Sequence, residues 1–488
     1  MFAFKSTKKY LFFIFLLTAV LFSGCASNGD EPEPVRLINA ENYDGAEIIS
    51  PPPLEIPPLP PENTTTSQTI ITTTTEPTIT TTTTTNVGDD DPVVPITTTT
   101  PPTITTTTPT ITTTTPAVTT TTPAPVVTTT PALIATPPAA ASGEVVGVWI
   151  SFIELQTAFA GRTEASFRAA FAEMMSNCKS LGINTVYVHV RGHGDAYYKS
   201  ELFPWAKQIT GTMGTAPAFD PLEIMIEEAH SRGISFRAWL NPMRLMTDAD
   251  MKAVSASNPA LPVSKWYSGA ENGTRIFRVG EHWYLNPAYA EVRQLIADGA
   301  AEILRNYKVD GIHIDDYFYP PNSGTAFDSA AFAASSFSDL SAFRLDNSTR
   351  MVKALYDTVK SINSSVLFGI SPQGSIQNCY EIYADVRKWA SQAGYCDYIA
   401  PQLYYGFLNA AQPFERCLAE WEDLVRGTNI KLIIGLASYK LGQVDNWAGE
   451  AGKNEWITDR DTIIGRQIEA AKKAGNYGGY IYFSYRFL

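Results

Sequence analysis

Eight short apolar runs recur along residues 143–488, and the stretches between them carry helical periodicity. The runs are VVGVWIS (145–151), TVYVHVR (185–191), SFRAWLN (235–241), GIHIDDY (311–317), VLFGISP (366–372), YIAPQLYYG (398–406), KLIIGLASY (431–439) and GYIYFSY (479–485). Between the first two, Phe167, Ala170, Phe171, Met174, Met175, Cys178 and Leu181 fall at helical spacing, with Gly182 as the stop. The tetrapeptide DPLE places Asp220 as a helix cap, Pro221 in the first turn and Glu223 at the capping-box position. Another helix is expected to start at Asn286 and Pro287, with Val292, Leu295, Ile296, Ile303 and Leu304 on its apolar face. Strands alternating with helices in this way run parallel, and eight of them predict an α/β fold of the (β/α)8, TIM-barrel type. A doubly wound sheet is the competing architecture. It would need a glycine-rich switch-point loop, and no GxGxxG or GxxxxGKS follows any of the runs. No closing helix follows the eighth run, so another element is expected to cover that gap.

Side chains alternate between the two faces of a strand, and the helices of a barrel pack outside it. Val186, Val188 and Val190 therefore oppose Tyr187, His189 and Arg191; Phe236, Ala238 and Leu240 oppose Arg237, Trp239 and Asn241. Ile312 and Ile314 oppose Gly311, His313 and Asp315. The aliphatic sets face the helices and the polar sets line the interior. Asp315 is then the last inward residue of the fourth strand, at the end where barrel enzymes keep their chemistry, with Asp316 on the rim beside Tyr317, Phe318 and Tyr319.

Other strand ends bring Trp149, Arg191, Asn241, Ser371, Gln402, Tyr404 and Ser484 to the same mouth. Polar anchors among aromatic platforms suit a sugar ring, which offers hydroxyls at its edge and C–H groups on its faces. The candidate catalytic residues are Asp315 and Asp316. The candidate substrate contacts are Trp149, Arg191, Asp195, Asn241, Tyr317, Gln402 and Tyr404.

Glycoside cleavage ordinarily uses two carboxyl groups, about 5–5.5 Å apart for retention and roughly 6.5–9.5 Å apart for inversion. Adjacent strand residues point opposite ways, so a second acid could come from Asp195, Glu154 or Asp445; the sixth strand offers only Gln402. A structural alternative pairs Asp315 with Arg237, because an unpaired buried charge is costly, and leaves the chemistry to Asp316. His189 and His313 lie deeper and are expected to be satisfied core histidines, and Asp385 is expected to be structural. No HxH marks the first strand, so neither a metal nor another cofactor is expected.

The first 142 residues change the picture of where such a domain would act. Residues 1–24 have the layout of a secretory signal, with Lys5, Lys8 and Lys9 before an apolar run too short for an ordinary spanning helix. The ending LFSGC resembles a lipobox, with Phe22 where leucine is usual, and makes Cys25 the candidate lipidated N-terminus. Residues 25–142 read as a disordered Thr/Pro-rich linker, which has too few aromatic residues to bury a core. Fully extended, its Thr/Pro part would reach roughly 270 Å. The net charge of −13 argues against a nucleic-acid partner, which would call for a basic stripe. Beyond Cys25 the cysteines are Cys178, Cys379, Cys396 and Cys417; none forms a CxxC pair, and all four read as buried free thiols.

The blocks TVYVHVRGHGDAYY, FDPLEIMIEEAHSRGISFRAWLNP, WYLNPAYAEVRQLI, VDGIHIDDYFYP and YIAPQLYYG, in this order, resemble the glycosyl hydrolase-like 10 family over 144–488. Gly192 and His193 depart from the family's usual wording, while Arg191, Gly194 and Asp195 match it. The resemblance implies a glycosidase-like barrel with a carboxylate after the fourth strand, on the Asp315–Asp316 block. It also implies a glycan substrate of the cell envelope, including peptide-stripped peptidoglycan strands. The combined expectation is a glycoside hydrolase held by a lipid anchor on the extracytoplasmic face of a bacterial membrane. A non-catalytic glycan-binding lipoprotein and a metal-dependent deacetylase are the alternatives.

Overall fold

The structure is a computed structural model that describes residues 143–161, 163–321 and 323–488. The signal-like segment, Cys25 and the whole of the linker lie outside the described residues. Eleven strands follow in chain order: β1 Val145–Ile150, β2 Thr185–Arg191, β3 Ser235–Leu240, β4 Arg244–Thr247, β5 Ile276–Val279, β6 His282–Leu285, β7 Gly311–Ile314, β8 Leu367–Ile370, β9 Tyr398–Ile399, β10 Lys431–Leu436 and β11 Tyr477–Tyr482. Eight of them close a barrel in the order β1-β2-β3-β7-β8-β9-β10-β11, and every neighbouring pair is parallel. This is the (β/α)8 barrel that the alternation of runs predicts.

The two faces of the strands build two separate cores. Outside, Val186, Val188, Ile312, Ile314 and Ile434 are buried with the apolar faces of helices such as Glu164–Ser180, which contributes Phe167, Phe171, Met174, Met175 and Cys178. Each such aliphatic side chain contributes about 1.5–3 kcal/mol by leaving water. Inside, Trp149, Tyr187, Trp239, Tyr398, Ile433 and Ile481 fill the barrel. The Tyr398 ring crosses the interior against Gly369, where any Cβ would fall within 1.8 Å of it. The four cysteines are free and buried, and Asp220 caps its helix by accepting from the amides of Leu222 and Glu223.

Several expectations need correction. The sixth strand is two residues long, not nine, because Pro401 has no N–H and interrupts the ladder; Gln402 still bridges Gln373 and Gly435 before the chain turns, with the Leu403 amide donating to the Pro401 carbonyl. Asn286 does not start a helix. That helix spans Ala290–Asn306, and the Asn286 amide is buried instead, donating to the carbonyls of Thr274 and Phe327. Between β3 and β7 stands an unanticipated antiparallel sheet, β4-β6-β5, built on a hairpin whose two-residue loop opens with Gly280 at φ +61°. RIFRVGEHWYL carries the signal for it, a glycine-led two-residue loop between apolar alternations. Past β11, Tyr485 is buried in the outer core and its hydroxyl accepts from Asn177 Nδ2 at 3.2 Å, which packs this segment against the helix Glu164–Ser180.

Candidate active site

β7 ends at Ile314, and the two aspartates leave it at the C-terminal mouth of the barrel. Asp315 is buried and its Oδ2 accepts from Trp239 Nε1 at 2.9 Å, while its Oδ1 accepts from the Tyr317 amide at 3.3 Å. Asp316 is half-buried rather than on an open rim, and its Oδ1 accepts from Gln402 Nε2 at 3.1 Å. Gln402 also donates to the Ser371 carbonyl, so the amide is fixed between β8 and β9. The turn that ends β7, with the Phe318 amide donating to the Asp316 carbonyl, lets both carboxylates serve the same mouth although the residues are adjacent.

Burial raises the pKa of Asp315, the charge of Asp316 raises it further, and together they push it up to about 7; Arg244 and the Trp239 bond act the other way. Asp316 is also raised by burial, and the Gln402 bond opposes that shift by favouring the carboxylate. Both carboxyls are therefore raised, and Asp315 is poised to hold a proton near neutral pH beside a second carboxyl. A carboxyl kept protonated near neutral pH is suited to act as an acid.

Aromatic rings wall this pair. Tyr404 packs against Tyr439 and Phe483 at ring distances of 5.8 and 5.7 Å, and both aspartates add to the burial that raises its phenol. Opposite, the Arg244 guanidinium lies 4.0 Å over the Tyr317 ring and donates to the Gly192 carbonyl. Trp149 forms the floor, its indole donating to His313 Nε2 at 3.2 Å.

Not every expected contact reaches the mouth. Arg191 does not: β2 slips register against β3 between His189 and Arg191, so the parity reverses and Arg191 pairs with outward-facing Leu240. Its guanidinium packs 4.5 Å over Phe203 and against Gly299, where a Cβ would fall within 2.0 Å of it. Asp195 is wholly buried and closes the loop after β2, its Oδ1 accepting from the amides of Gly192 and His193. Asn241 is buried with its Oδ1 accepting from the Arg244 amide, so it holds the start of β4.

The other candidate acids are engaged as well. Glu154 caps its own helix through Ser151 and accepts from the Ser484 hydroxyl. Asp445 pairs with Lys440 at 2.8 Å. The pairing of Arg237 with Asp315 does not form either. Arg237 Nη1 donates to the Tyr187 hydroxyl at 3.0 Å, and the guanidinium lies 4.6 Å from the Tyr398 ring centre. His313 engages both ring nitrogens, with Trp149 and Tyr398. His189 is buried and stacks 3.6 Å from Trp239, but neither of its nitrogens has a hydrogen-bond partner among the described residues, so it is not the satisfied core histidine expected. Asp385 accepts from the Tyr380 hydroxyl, the structural role expected of it.

Residues 144–450 match the profile described as Glycosyl hydrolase-like 10. The chain belongs to that family. As a glycosyl hydrolase-like 10 member it is 31% identical over 326 residues to the glycosyl hydrolase YngK of Bacillus subtilis strain 168, an alignment covering 62% of this chain and 61% of that one. It is 33% identical over 292 residues to the glycosyl hydrolase DigH of Escherichia coli K12, covering 56% and 66%. The chain thus aligns with less than two thirds of the length of these relatives. Among solved structures, the PgaB (BpsB) glycoside hydrolase domain of Bordetella bronchiseptica superposes with a TM-score of 0.46 at 12% identity, over 71% of this chain and 95% of that chain.

Two site features of this family member escaped the sequence reading. Arg244 sits on the unanticipated β4, and only the position of NPMR just past a barrel strand hinted at it. Trp239 was placed inside the barrel, but its role as the donor to Asp315 depends on which strand level faces which, and alternation alone does not supply that.

Proposed function

We propose that this domain hydrolyses glycosidic bonds in an envelope or extracellular polysaccharide, with peptidoglycan glycan strands as the first candidate. The observation that carries the reading is the Asp315–Asp316 pair, in which burial and mutual repulsion push Asp315 up to about 7 within an aromatic mouth. Asp315 acts as the general acid and donates its proton to the leaving glycosidic oxygen. Asp316, which accepts from Gln402, faces as a carboxylate the positive charge that develops at the anomeric carbon. Water supplies the hydroxyl that ends on the released sugar, and its remaining proton passes to the Asp315 carboxylate, which restores the acid. Membership of the glycosyl hydrolase-like 10 family supports the same reading.

A second reading, glycan binding without cleavage, draws on one observation: Glu154, Asp195 and Asp445 are all engaged in structural bonds, which leaves no further carboxylate free for the mouth among the acids considered. Incubating a panel of purified glycans with the protein, with and without a chelator, and reading products by mass spectrometry separates the possibilities. Sugar fragments that persist with chelator support the hydrolase; bound but intact glycans support the binder; chelator-sensitive acetate release supports a deacetylase.

The location belongs to the same proposal. Cys25 carries the lipid that holds the domain on the extracytoplasmic face of a bacterial membrane, since more than one acyl chain gives stable anchoring. Cys25→Ser is expected to move the protein from the membrane fraction to the soluble secreted one. Unchanged membrane association would remove the anchor from the proposal.

A further inference from the structure

Exposed large apolar side chains are not scattered over this domain. Of the five among the described residues, four lie on the loops after β9 and β10: Leu408 (54% exposed), Val444 (46%), Trp447 (61%) and Ile457 (44%). Both loops leave the C-terminal ends of barrel strands, so both stand beside the mouth. A cluster of this kind on a folded surface marks a contact site more often than a scattered apolar residue does.

The loops are also built firmly. The Ala410 amide donates to the Ala448 carbonyl at 2.8 Å, and the buried Glu455 carboxylate accepts from the amides of Phe407 and Leu408, each at 2.9 Å. Trp447 itself is tied back to the catalytic wall. Its amide donates to Asp445 Oδ1 at 3.1 Å, Asp445 Oδ2 takes the Lys440 ammonium at 2.8 Å, and the same ammonium donates to the Tyr404 carbonyl at 2.8 Å. Three bonds therefore connect the backbone of Trp447 to the tyrosine whose phenol feels the charges of Asp315 and Asp316. Asp445, a candidate second acid by sequence, positions this loop.

We propose that Trp447 is the platform of a distal subsite, on which a glycan strand continues after leaving the mouth, so that the natural ligand is a polymer rather than a short oligosaccharide. The proposal rests on the reading of the mouth as a glycan site and extends it outward. An exposed indole offers a flat apolar face and a single polar edge, and the C–H face of a sugar offers the matching surface. The partly buried Lys440–Asp445 pair removes much of the ordering cost of binding, because the loop is already in place. A lipid surface is the less fitting occupant, since the chain carries a net charge of −13 and anionic headgroups would repel it.

The test uses the full chain carrying Asp315→Asn, so that bound strands are not cut, with peptide-stripped peptidoglycan glycan strands as the probe. Adding Trp447→Ala should weaken binding of long strands at least tenfold, and Trp447→Phe should retain most of it, with the melting temperature of both unchanged. Equal binding by the Trp447→Ala chain overturns the subsite and leaves the proposed hydrolysis standing. Trp447-dependent binding together with intact strands after incubation with the unmutated protein supports the subsite and removes the hydrolase reading. Failure of the parent chain to bind the strands overturns the subsite and the first-candidate substrate together. Trp447-dependent binding to phosphatidylglycerol vesicles in place of strands overturns the proposal in favour of a membrane contact.

Discussion

Two layers of the barrel interior, one around Arg237 and one around Asp315, handle charge in opposite ways. Arg237 is level with Gly311 in the strand register, four positions below Asp315, or about 13 Å along the strand. Down there the cation has no carboxylate bonded to it. Two tyrosine rings and the Tyr187 hydroxyl spread its charge instead. At the mouth two carboxylates crowd one another, and Arg244 acts on them as a neighbouring charge while its bonds go to the Gly192 carbonyl. His313 lies between the layers. Burial, aided by Arg237, drives its pKa well below the usual range, so it stays neutral. The Trp149 indole donates to Nε2, which places the single ring proton on Nδ1, toward the Tyr398 hydroxyl. The separation teaches why Asp315 can remain a weak acid. A direct bond to Arg237 would have held it down; the neutral layer keeps the cation away.

The largest effect should come from removing the poised proton. Asp315→Asn is expected to lower turnover by roughly 10²–10⁴-fold with the fold intact, measured as product release against melting temperature. Full activity in this variant would sink the assignment of the acid.

Asp316→Asn should cost less, about 10²-fold, because it removes an oriented charge rather than the proton donor. It also removes the repulsion that helps raise Asp315. The residual activity should therefore lose its proton donor at a lower pH, with the alkaline limb of kcat/KM falling below the value of about 7 expected with both carboxylates present. An unmoved limb would mean that the two groups do not feel one another.

Much of this arrangement could be read from the chain, and the part that could not has a common cause. Strand alternation put Tyr187, Trp239, His313 and Asp315 inside, and they are inside, because a period of two holds wherever the strand is regular. It failed at Arg191, where one unpaired residue in β2 reverses the parity, and at strand six, where Pro401 interrupts the ladder after two residues. The expected Arg237–Asp315 pair failed for a different reason. Alternation says which face a residue occupies and nothing about its level along the barrel, and a carboxylate must share a level with a guanidinium to bond it. Trp239, two positions above Arg237 and level with His313, is near enough for its indole to reach Asp315. The β4-β6-β5 sheet, and Arg244 with it, went unseen because its strands are four residues each and a few apolar positions do not establish a period.

A smaller effect concerns stability and pH. An unfolded aspartate titrates near 3.9, and folded Asp315 titrates at about 7, so between these values the folded chain holds a proton that the unfolded chain has lost. Its contribution to stability therefore falls as pH rises from about 4 to about 7, by at most about 1.4 kcal/mol per pH unit, and is constant above that window. Asp315→Asn should flatten this part of the stability curve and be relatively more stable than the parent at pH 8. Chemical denaturation at a series of pH values reads the slope, and parallel curves for the two proteins would contradict the raised pKa.

The smallest expected effect is the sharpest test of the separation, because it is an absence of change at one layer after a drastic change at the other. Arg237→Met removes the deep cation and keeps a long apolar side chain. Losing the ring contacts costs about 0.5–2 kcal/mol, and losing the desolvation of an ion without a bonded carboxylate offsets part of that, so stability should move by no more than about 2 kcal/mol in either direction. Had Arg237 balanced Asp315, the same change would leave a buried carboxylate unpaired, cost several kcal/mol and drive Asp315 upward. With His313 neutral between them, the alkaline limb of kcat/KM should stay at about 7. The His313 imidazole, relieved of the cation beside it, should titrate higher than in the parent while burial still keeps it below its ordinary range. Ring-proton chemical shifts of His313 followed against pH, set beside the kinetic limb of the same variant, report the two layers independently. A shift in both would join them into one electrostatic unit; a shift confined to His313 keeps them apart.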